Sequence, residues 1–475
     1  MAVLVAGLAV RLVLIPFTSS PFDVSAGWVA VIEEIYAGDS LYDADLYKYT
    51  PVWGYILAVA AGAADLLGMS SFGSPFTDIY LERELTFGYC YITDPGFNIL
   101  IKTPALVFDV LTAFSAYRLV RDISGDDRKA EIGFAMWFLC PVVILSSAVL
   151  CMFDSIMIFF MIESIVAFRH RRYGLAGALL AVSILTKAFP AVILPLMAVY
   201  VLSERGTPPP KRARNLAAAV LGFAAVLLLM YWPLIANGEL ADSLWFLSSR
   251  GDSYSDIGFD RNNLSFNNIF FWMPAIAAVL LGSCALMALR REERERTFLA
   301  LVIVSLSVVF CFPYVSYTPT YGIVMVPAVL ILYALEGRVA WLPWALTSFF
   351  VLHGIAHYWC TALYPLAAWW DGMDIASLHE YMGDGDLYDG ILYCMSSAGL
   401  SLMAIAVLWF AVPLVLRYIG GRRDGSQEAR RRGDRTDRIR PGLPGRAGHG
   451  LRGQPVQVRR IGGEERAGRG RDDRH

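Results

Sequence analysis

The chain has 475 residues, of which 56% are hydrophobic and only 17% are charged, and its formal net charge is −2. Soluble domains carry roughly a quarter charged residues, so the composition excludes an ordinary soluble protein and predicts an all-α protein that crosses a membrane many times. The near-zero net charge conceals an asymmetry, because residues 1–420 are acidic whereas residues 421–475 hold sixteen Arg and only eight Asp or Glu.

Apolar runs recur along the chain in the length range expected of membrane helices. We predict twelve spans, of which the first is an uncleaved N-terminal helix. The apolar segment 51–68 is left out, because counting it would place the basic clusters after the later spans outside the cytoplasm. Without it, those clusters and both termini are cytoplasmic, in agreement with the positive-inside rule. The predicted spans are residues 2–17, 98–120, 132–150, 153–168, 173–187, 188–202, 215–235, 269–289, 297–313, 320–336, 339–359 and 391–417.

This topology divides the chain into a transmembrane domain, residues 1–420, and a tail, residues 421–475. The tail lacks Lys, Phe, Trp and Tyr and is dense in Arg and Gly, so it is predicted to be disordered and cytoplasmic. Contact with nucleic acid or anionic lipid is the alternative role for the tail, and we expect no nucleic-acid partner. Three large loops, residues 18–97, 236–268 and 360–390, fall on the external side, and loops of that size are usually functional.

The first external loop carries eleven acidic residues against only Lys48 and Arg83. Its pattern of Asp23 followed by Gly38-Asp39-Ser40-Leu41-Tyr42-Asp43 and Lys48-Tyr49-Thr50-Pro51 resembles the first luminal loop of GT-C glycosyltransferases. Further similar pieces are Lys102-Thr103-Pro104, Phe108-Asp109, Met152-Phe153-Asp154 and Leu185-Thr186-Lys187-Ala188-Phe189-Pro190.

The resemblance extends over about residues 1–200. It is strongest to polyprenyl-phosphate-mannose-dependent mannosyltransferases, which include the enzyme that adds the first mannose to glycosylphosphatidylinositol anchors and a bacterial and archaeal polyprenol-dependent group like glycosyltransferase family 87. It implies a GT-C fold with segment 51–68 as an interfacial helix of the first external loop, in which Tyr49 and Pro51 belong to the loop motif.

Asp23 is the candidate general base. Transfer to a sugar hydroxyl needs a carboxylate within hydrogen-bond reach of the attacking oxygen, and a single carboxylate suffices for inversion. Many relatives have Asp-x-Asp or Asp-Glu at this point, whereas this chain has Asp23-Val24-Ser25, which weakens the case for a metal. The alternative is that Asp23 caps a helix or is a solvated loop acid.

Lys187 lies at the external end of an apolar segment, where an ionisable group is a functional candidate by default. Its ammonium could hold the donor phosphate as a point charge, or it could pair with Asp109 or Asp154 in a structural role. Three other basic residues of the external loops are alternative phosphate ligands, namely Arg250, Arg261 and Lys48.

Two further acids are assigned different roles. Asp154 is predicted at an external turn, where it could bind acceptor hydroxyls or act as a second carboxylate, with helix capping as the alternative. Asp109 lies well inside the second span and is expected to satisfy a buried partner such as Arg11.

No strong metal signal is present. Asp43-Ala44-Asp45 and Asp384-Gly385-Asp386 match the Asp-x-Asp of nucleotide-sugar enzymes, but nucleotide sugars are cytoplasmic and both pairs are predicted outside. His353 and His357 have the i, i+4 spacing of a metal pair, without a third ligand nearby. We expect no cofactor, and a divalent metal is left open.

These observations predict an inverting hexosyltransferase. It would move a sugar, most simply mannose, from a polyprenyl-phosphate donor to a lipid-linked or glycan acceptor outside the cytoplasm, with membrane lipids as its surroundings. A transporter or flippase of lipid-linked sugars is the first alternative. A glycan polymerase or ligase with a lipid diphosphate donor is the second, and it would use paired external Arg residues.

Overall fold

A computed structural model describes most of the first 420 residues. The described residues are 1–44, 47, 49–69, 72–76, 90–249, 269–289, 293–311, 319–349, 361–370 and 404–417. They are predominantly helical, as the composition predicts. The predicted tail, residues 421–475, lies outside the described residues.

The helices follow the predicted apolar runs closely, with short connections between them. Several begin at a proline in the first turn, where a missing N–H is tolerated; α3, α4 and α10 are examples. The α-helices are α1 (Ala2–Phe17), α2 (Val29–Ala37), α3 (Pro51–Leu66), α4 (Pro95–Ser124), α5 (Asp127–Phe138), α6 (Pro141–Ile144), α7 (Asp154–Arg169), α8 (Tyr173–Ile184), α9 (Leu194–Leu202), α10 (Pro209–Asn237), α11 (Leu240–Ser249), α12 (Ile269–Leu289), α13 (Arg294–Val308), α14 (Met325–Glu336), α15 (Trp341–Phe349), α16 (Tyr364–Trp369) and α17 (Ala404–Arg417).

Two segments are π-helical, π1 (Pro21–Trp28) and π2 (Leu145–Val149). Such wide turns are rare and are frequently found at functional sites. Short 3₁₀ turns precede or follow several of the α-helices, at Phe189–Ile193, Pro319–Val324, Gly337–Ala340 and Thr361–Leu363.

The number of membrane crossings stays a prediction. Within the described part of the chain, α4 and α10 are each long and apolar enough to cross a membrane, and α5 with α6 and π2 would be a third if the bent pair is one span. The predicted span 132–150 falls on this pair, and the chain bends by 45° between its two pieces. The break coincides with Pro141, which cannot donate a backbone hydrogen bond.

The predicted first external loop contains one departure from an all-α fold. Strands β1 (Gly73–Phe76) and β2 (Cys90–Thr93) pair antiparallel, with Gly73 opposite Thr93 and Phe76 opposite Cys90. The segment predicted as an interfacial helix forms α3, so its helical state agrees with the expectation.

Helices α8 and α10 pack closely through small residues. A Cβ atom on Gly177 would lie 2.0 Å from the carbonyl oxygen of Ala219, and one on Gly222 would lie 2.0 Å from that of Gly174. Without a hydrophobic driving force in lipid, such close backbone approach is a main source of helix association. The opposite face of α10 exposes large apolar side chains, including Leu221 and Trp232, as expected of a surface in contact with lipid.

Two apolar clusters organise the interior. The larger one includes α7, α13 and α14, and almost every residue of α14 is buried, as is usual for a helix that is apolar on all sides. The second cluster joins π1, α2 and α3 to the start of α7 through Trp28, Trp53 and Phe153. This second cluster holds the first-loop segments against the membrane helices and so places Asp23.

Candidate functional site

Asp23 lies in the first turn of π1, directly after the end of α1. Its backbone N–H donates to Ser20 Oγ over 3.1 Å, and Ser20 Oγ donates to Asp23 Oδ2 over 2.9 Å. The carboxylate is half-buried. Within the described part of the chain, its Oδ1 accepts no hydrogen bond. Ser20 is therefore the N-cap residue of π1, and Asp23 still has a carboxylate oxygen available.

Partial burial raises the pKa of Asp23 from 3.8 to about 6. The hydrogen bond from Ser20 and the charge of Lys187 act against this shift, and the charge of Asp154 adds to it. The geometric link is the contact of Trp28, in the same π-helix as Asp23, with Phe153, the residue before Asp154, and Lys187 is paired with Asp154. Asp23, Asp154 and Lys187 are three of the predicted site residues, and more than 160 positions separate Asp23 from Lys187 in the sequence.

Lys187 and Asp154 form a buried ion pair. The Lys187 Nζ atom lies 2.8 Å from each carboxylate oxygen of Asp154, and the exposed fractions of the two side chains are 6% and 0%. Asp154 begins α7, and Lys187 follows the end of α8, where the predicted turn near Pro190 is present. Of the two structural partners considered for Lys187, Asp154 is the one that the fold provides.

Aromatic rings surround this ion pair. Lys187 Nζ lies 4.8 Å from the ring centroid of Phe153, 5.9 Å from that of Tyr49 and 5.7 Å from that of Tyr321. Cation–π contacts of this kind are stronger where water is excluded. Tyr49 belongs to the predicted loop motif, and Pro51 of the same motif is the first residue of α3.

Asp109 and Arg11 form a second buried ion pair, as the sequence predicted. Arg11 Nε lies 2.7 Å from Asp109 Oδ2, and neither side chain is exposed. The hydroxyl groups of Ser147 and Ser155 also donate to this carboxylate. Three donors satisfy Asp109, so this pair is structural.

Residues 103–313 match the model of glycosyltransferase family 87. The matched range is a little under half of the chain and contains both Asp154 and Lys187. No curated protein matches the chain. The match supports a membrane glycosyltransferase, which is the coarser part of the sequence-based prediction.

The family-87 range differs from the range of the resemblance noted in the sequence. The two share residues 103–200, and the family-87 match continues to residue 313, where the sequence suggested only a common helical architecture. Asp23, Tyr49 and Pro51 precede the matched range, so their roles rest on their positions in the structure and stay predictions.

Lys102, at the edge of the family-87 range, has a role that the sequence did not reveal. This buried residue of α4 donates to the carbonyl oxygens of Ile15, Thr18 and Ala148 and contacts no carboxylate in the described part of the chain. These hydrogen bonds hold the C-terminal end of α1 in place, a few residues before Asp23. The signal was available, because the reasoning that singled out Lys187 as an ionisable group at membrane depth applies equally to Lys102.

Several predicted site residues lie outside the described residues. These are the alternative phosphate ligands Arg250, Arg261 and Lys48, the histidines His353 and His357, and Asp45, Asp384 and Asp386 of the two Asp-x-Asp pairs. Among the residues that are described, no three His, Cys, Asp or Glu side chains come together as a metal-ligand set.

Proposed function

We propose that the protein is an inverting glycosyltransferase that moves a sugar, most simply mannose, from a polyprenyl-phosphate donor to a lipid-linked or glycan acceptor on the non-cytoplasmic face. The observation that carries this proposal is the half-buried carboxylate of Asp23 beside the Lys187–Asp154 pair. The family-87 match supports the reaction class, and the identity of the sugar and donor comes from the sequence resemblance.

Asp23 is assigned the role of general base. It would accept the proton of an acceptor hydroxyl while that oxygen attacks the anomeric carbon of the donor sugar. The bond between the anomeric carbon and the phosphate oxygen breaks at the same time, and the lipid monophosphate leaves with the electron pair. A base with a pKa of about 6 is mostly ionised at neutral pH and close enough to that pH to accept a proton efficiently.

Lys187 is assigned to the donor phosphate, with Asp154 as the residue that orients it. An ammonium group carries three protons, and two are directed at the Asp154 oxygens. The third is available for a phosphate oxygen. In this arrangement Asp154 acts through Lys187, which differs from its predicted role as an acceptor ligand or second carboxylate.

A transporter of lipid-linked sugars is the second candidate function. Broken helices and buried charges near the middle of the membrane are typical of transporters. The bend between α5 and π2 and the buried Arg11–Asp109 pair are features of that kind. A transporter would move the substrate unchanged, whereas a transferase forms a new glycosidic bond.

The deciding experiment uses the purified protein with labelled polyprenyl-phosphate-mannose and a membrane glycolipid extract. The wild type should form a labelled glycolipid, and Asp23→Asn should reduce the rate by a factor of about 100 to 10,000, the usual contribution of a general base. The control is Asp39→Asn, since Asp39 is an exposed acid of the same predicted loop, and it should retain activity. Unchanged lipid that crosses the membrane without a new glycosidic product would favour the transporter instead.

A further inference from the structure

Two buried tryptophans of the candidate site have indole N–H groups without a hydrogen-bond partner. Trp28 is 1% exposed and Trp53 is fully buried, and neither Nε1 atom has an acceptor in the described part of the chain. An indole nitrogen is a donor only, and the great majority of buried polar groups in folded proteins are paired. The missing acceptors therefore call for a physical explanation.

Two other tryptophans of the same protein have paired N–H groups. Trp137 is as completely buried as Trp53, and its Nε1 donates to the carbonyl oxygen of Asp109 over 3.1 Å. The Nε1 of the half-buried Trp344 donates to the carbonyl oxygen of Met136 over 2.9 Å. Of the buried tryptophans that the structure describes, the two without an acceptor are therefore the two in the Asp23 site.

The two unpaired tryptophans belong to a single aromatic cluster. Their ring centroids are 5.6 Å apart. The ring of Phe153 lies 5.8 Å from Trp28 and 4.8 Å from Trp53, and the same ring lies beneath the Lys187 ammonium. Tyr49, which is only half-buried, contacts Trp28 and Phe153 and brings the cluster to the surface.

At the indoles, the surroundings favour a neutral, hydroxyl-bearing group over an anion. Lys187 is the group assigned to the donor phosphate, and the carboxylate of Asp23 would repel a second anion beside the indoles. Sugar hydroxyl oxygens accept hydrogen bonds from N–H groups, and sugar hydroxyl protons can be donated to a carboxylate. The apolar C–H faces of a sugar ring also pack on aromatic rings.

We propose that Trp28 and Trp53 donate hydrogen bonds to the hydroxyl oxygens of a hexose unit that binds in this aromatic cluster beside Asp23. The inference rests on the proposed glycosyltransferase function and adds to it a sugar-binding subsite. The hexose could belong to the donor or to the acceptor, because both present the same hydroxyl chemistry.

The first test measures binding without turnover. The wild type and the variants Trp28→Phe, Trp53→Phe and Trp137→Phe are reconstituted in lipid nanodiscs and titrated with methyl α-D-mannopyranoside, with thermal unfolding as the readout. The first two variants should bind the sugar about tenfold more weakly, the effect of one lost hydrogen bond. Trp137→Phe loses the same volume and also a hydrogen bond within the protein. It should lower the melting temperature most and leave sugar affinity unchanged.

A second variant separates the lost N–H group from the lost ring volume. Incorporation of 3-benzothienylalanine at position 28 or 53 keeps the shape of tryptophan and replaces the N–H by sulfur. Without sugar, this change should leave the melting temperature unchanged or raise it, because it removes a buried donor that has no partner. Sugar affinity should still fall about tenfold. Wild-type affinity in both benzothienyl variants would overturn the proposal and leave a buried water as the partner of the two N–H groups.

Kinetic measurements on the same variants show whether the hexose belongs to the donor or to the acceptor. They also separate the sugar-binding subsite from the proposed transferase function. A higher KM for the lipid-linked donor places the donor sugar in the subsite, and a higher KM for the glycolipid acceptor places the acceptor sugar there. Sugar binding that depends on both indoles, in a protein that forms no glycosidic product, would support the subsite and contradict the transferase. Transfer with unchanged KM values in the Trp28 and Trp53 variants would contradict the subsite and support the transferase.

Discussion

The protein buries two carboxylate–cation sites that differ in how completely their acids are satisfied. Asp109 accepts from Arg11 and from two serine hydroxyls, whereas Asp23 accepts from Ser20 alone among the described residues. A saturated carboxylate in an apolar interior stabilises a helix contact. An incompletely satisfied one that stays near water is disposed to exchange a proton. We therefore predict that the number of hydrogen-bond donors, and not charge or burial alone, separates the structural acid Asp109 from the proposed base Asp23.

The largest effect on stability should follow from breaking the Arg11–Asp109 ion pair. Asp109→Leu leaves Arg11 buried without a carboxylate, and breaking a buried pair in this way costs about 3–5 kcal/mol. The double variant Arg11→Met/Asp109→Leu should recover most of the lost melting temperature, because an apolar pair replaces the ion pair. An Asp109→Leu variant as stable as the wild type would show that Asp109 is not a structural acid.

Variants of the Lys187–Asp154 pair should affect both stability and transfer. Lys187→Met leaves Asp154 buried and unpaired, so we expect a loss of stability of similar size, about 3–5 kcal/mol, together with loss of transfer. The double variant Lys187→Met/Asp154→Leu should regain stability and remain inactive, because no cation would be left for the donor phosphate. Transfer at the wild-type rate in the stable double variant would assign both residues to the fold alone.

The pH dependence of transfer should report Asp23 directly. A general base must be deprotonated, and the pKa of Asp23 is about 6. The value of kcat/KM should therefore be constant above that pH and fall about tenfold per pH unit below it. A flat profile between pH 5 and pH 7, with the protein still folded, would contradict the assignment of Asp23 as the base.

The smallest expected effect is on the stability of the Asp23→Asn variant. Because the folded-state pKa of Asp23 is raised from 3.8 to about 6, the folded protein holds this proton more tightly than the unfolded chain. The contribution of Asp23 to stability is then greatest below about pH 4 and declines as the pH rises through 6. At pH 7, Asp23→Asn should melt at the same temperature as the wild type or slightly higher. A clear decrease would mean that the Asp23 carboxylate, through its hydrogen bond from Ser20, is mainly structural.

Much of the fold could be predicted from the sequence, because apolar runs and prolines determine where individual helices begin, end and break. The helix over residues 2–17, the break near Pro190 and the Arg11–Asp109 pair all follow from such signals. The helix predicted over residues 188–202 begins later, at Leu194 after a 3₁₀ turn. The bend after α5 was missed, although Pro141 marks it. The β1–β2 hairpin was missed because the loop was assigned by charge and length, and neither property reveals strand pairing.

The sequence predicts which residues belong to the candidate site, but not how they are arranged. Asp23, Asp154, Lys187 and Tyr49 were singled out by residue type and position. Their convergence depends on the contact of Trp28 in π1 with Phe153 just before α7 and on the pairing of Lys187 with Asp154, which are tertiary contacts without a local signal. The same holds for Lys102, whose three carbonyl acceptors come from α1, the residue just beyond it and π2. The unpaired N–H groups of Trp28 and Trp53 are visible only in the folded structure.

The most direct test of the contrast between a functional Asp23 and a structural Asp109 compares Asp23→Asn with Asp109→Asn in a single experiment. Each purified variant is first melted and then assayed with labelled polyprenyl-phosphate-mannose at the same temperature. The account predicts that Asp23→Asn melts like the wild type and transfers at least about 100-fold more slowly, whereas Asp109→Asn melts at a clearly lower temperature and retains activity while it is folded. A folded Asp23→Asn variant that transfers at the wild-type rate would contradict the account.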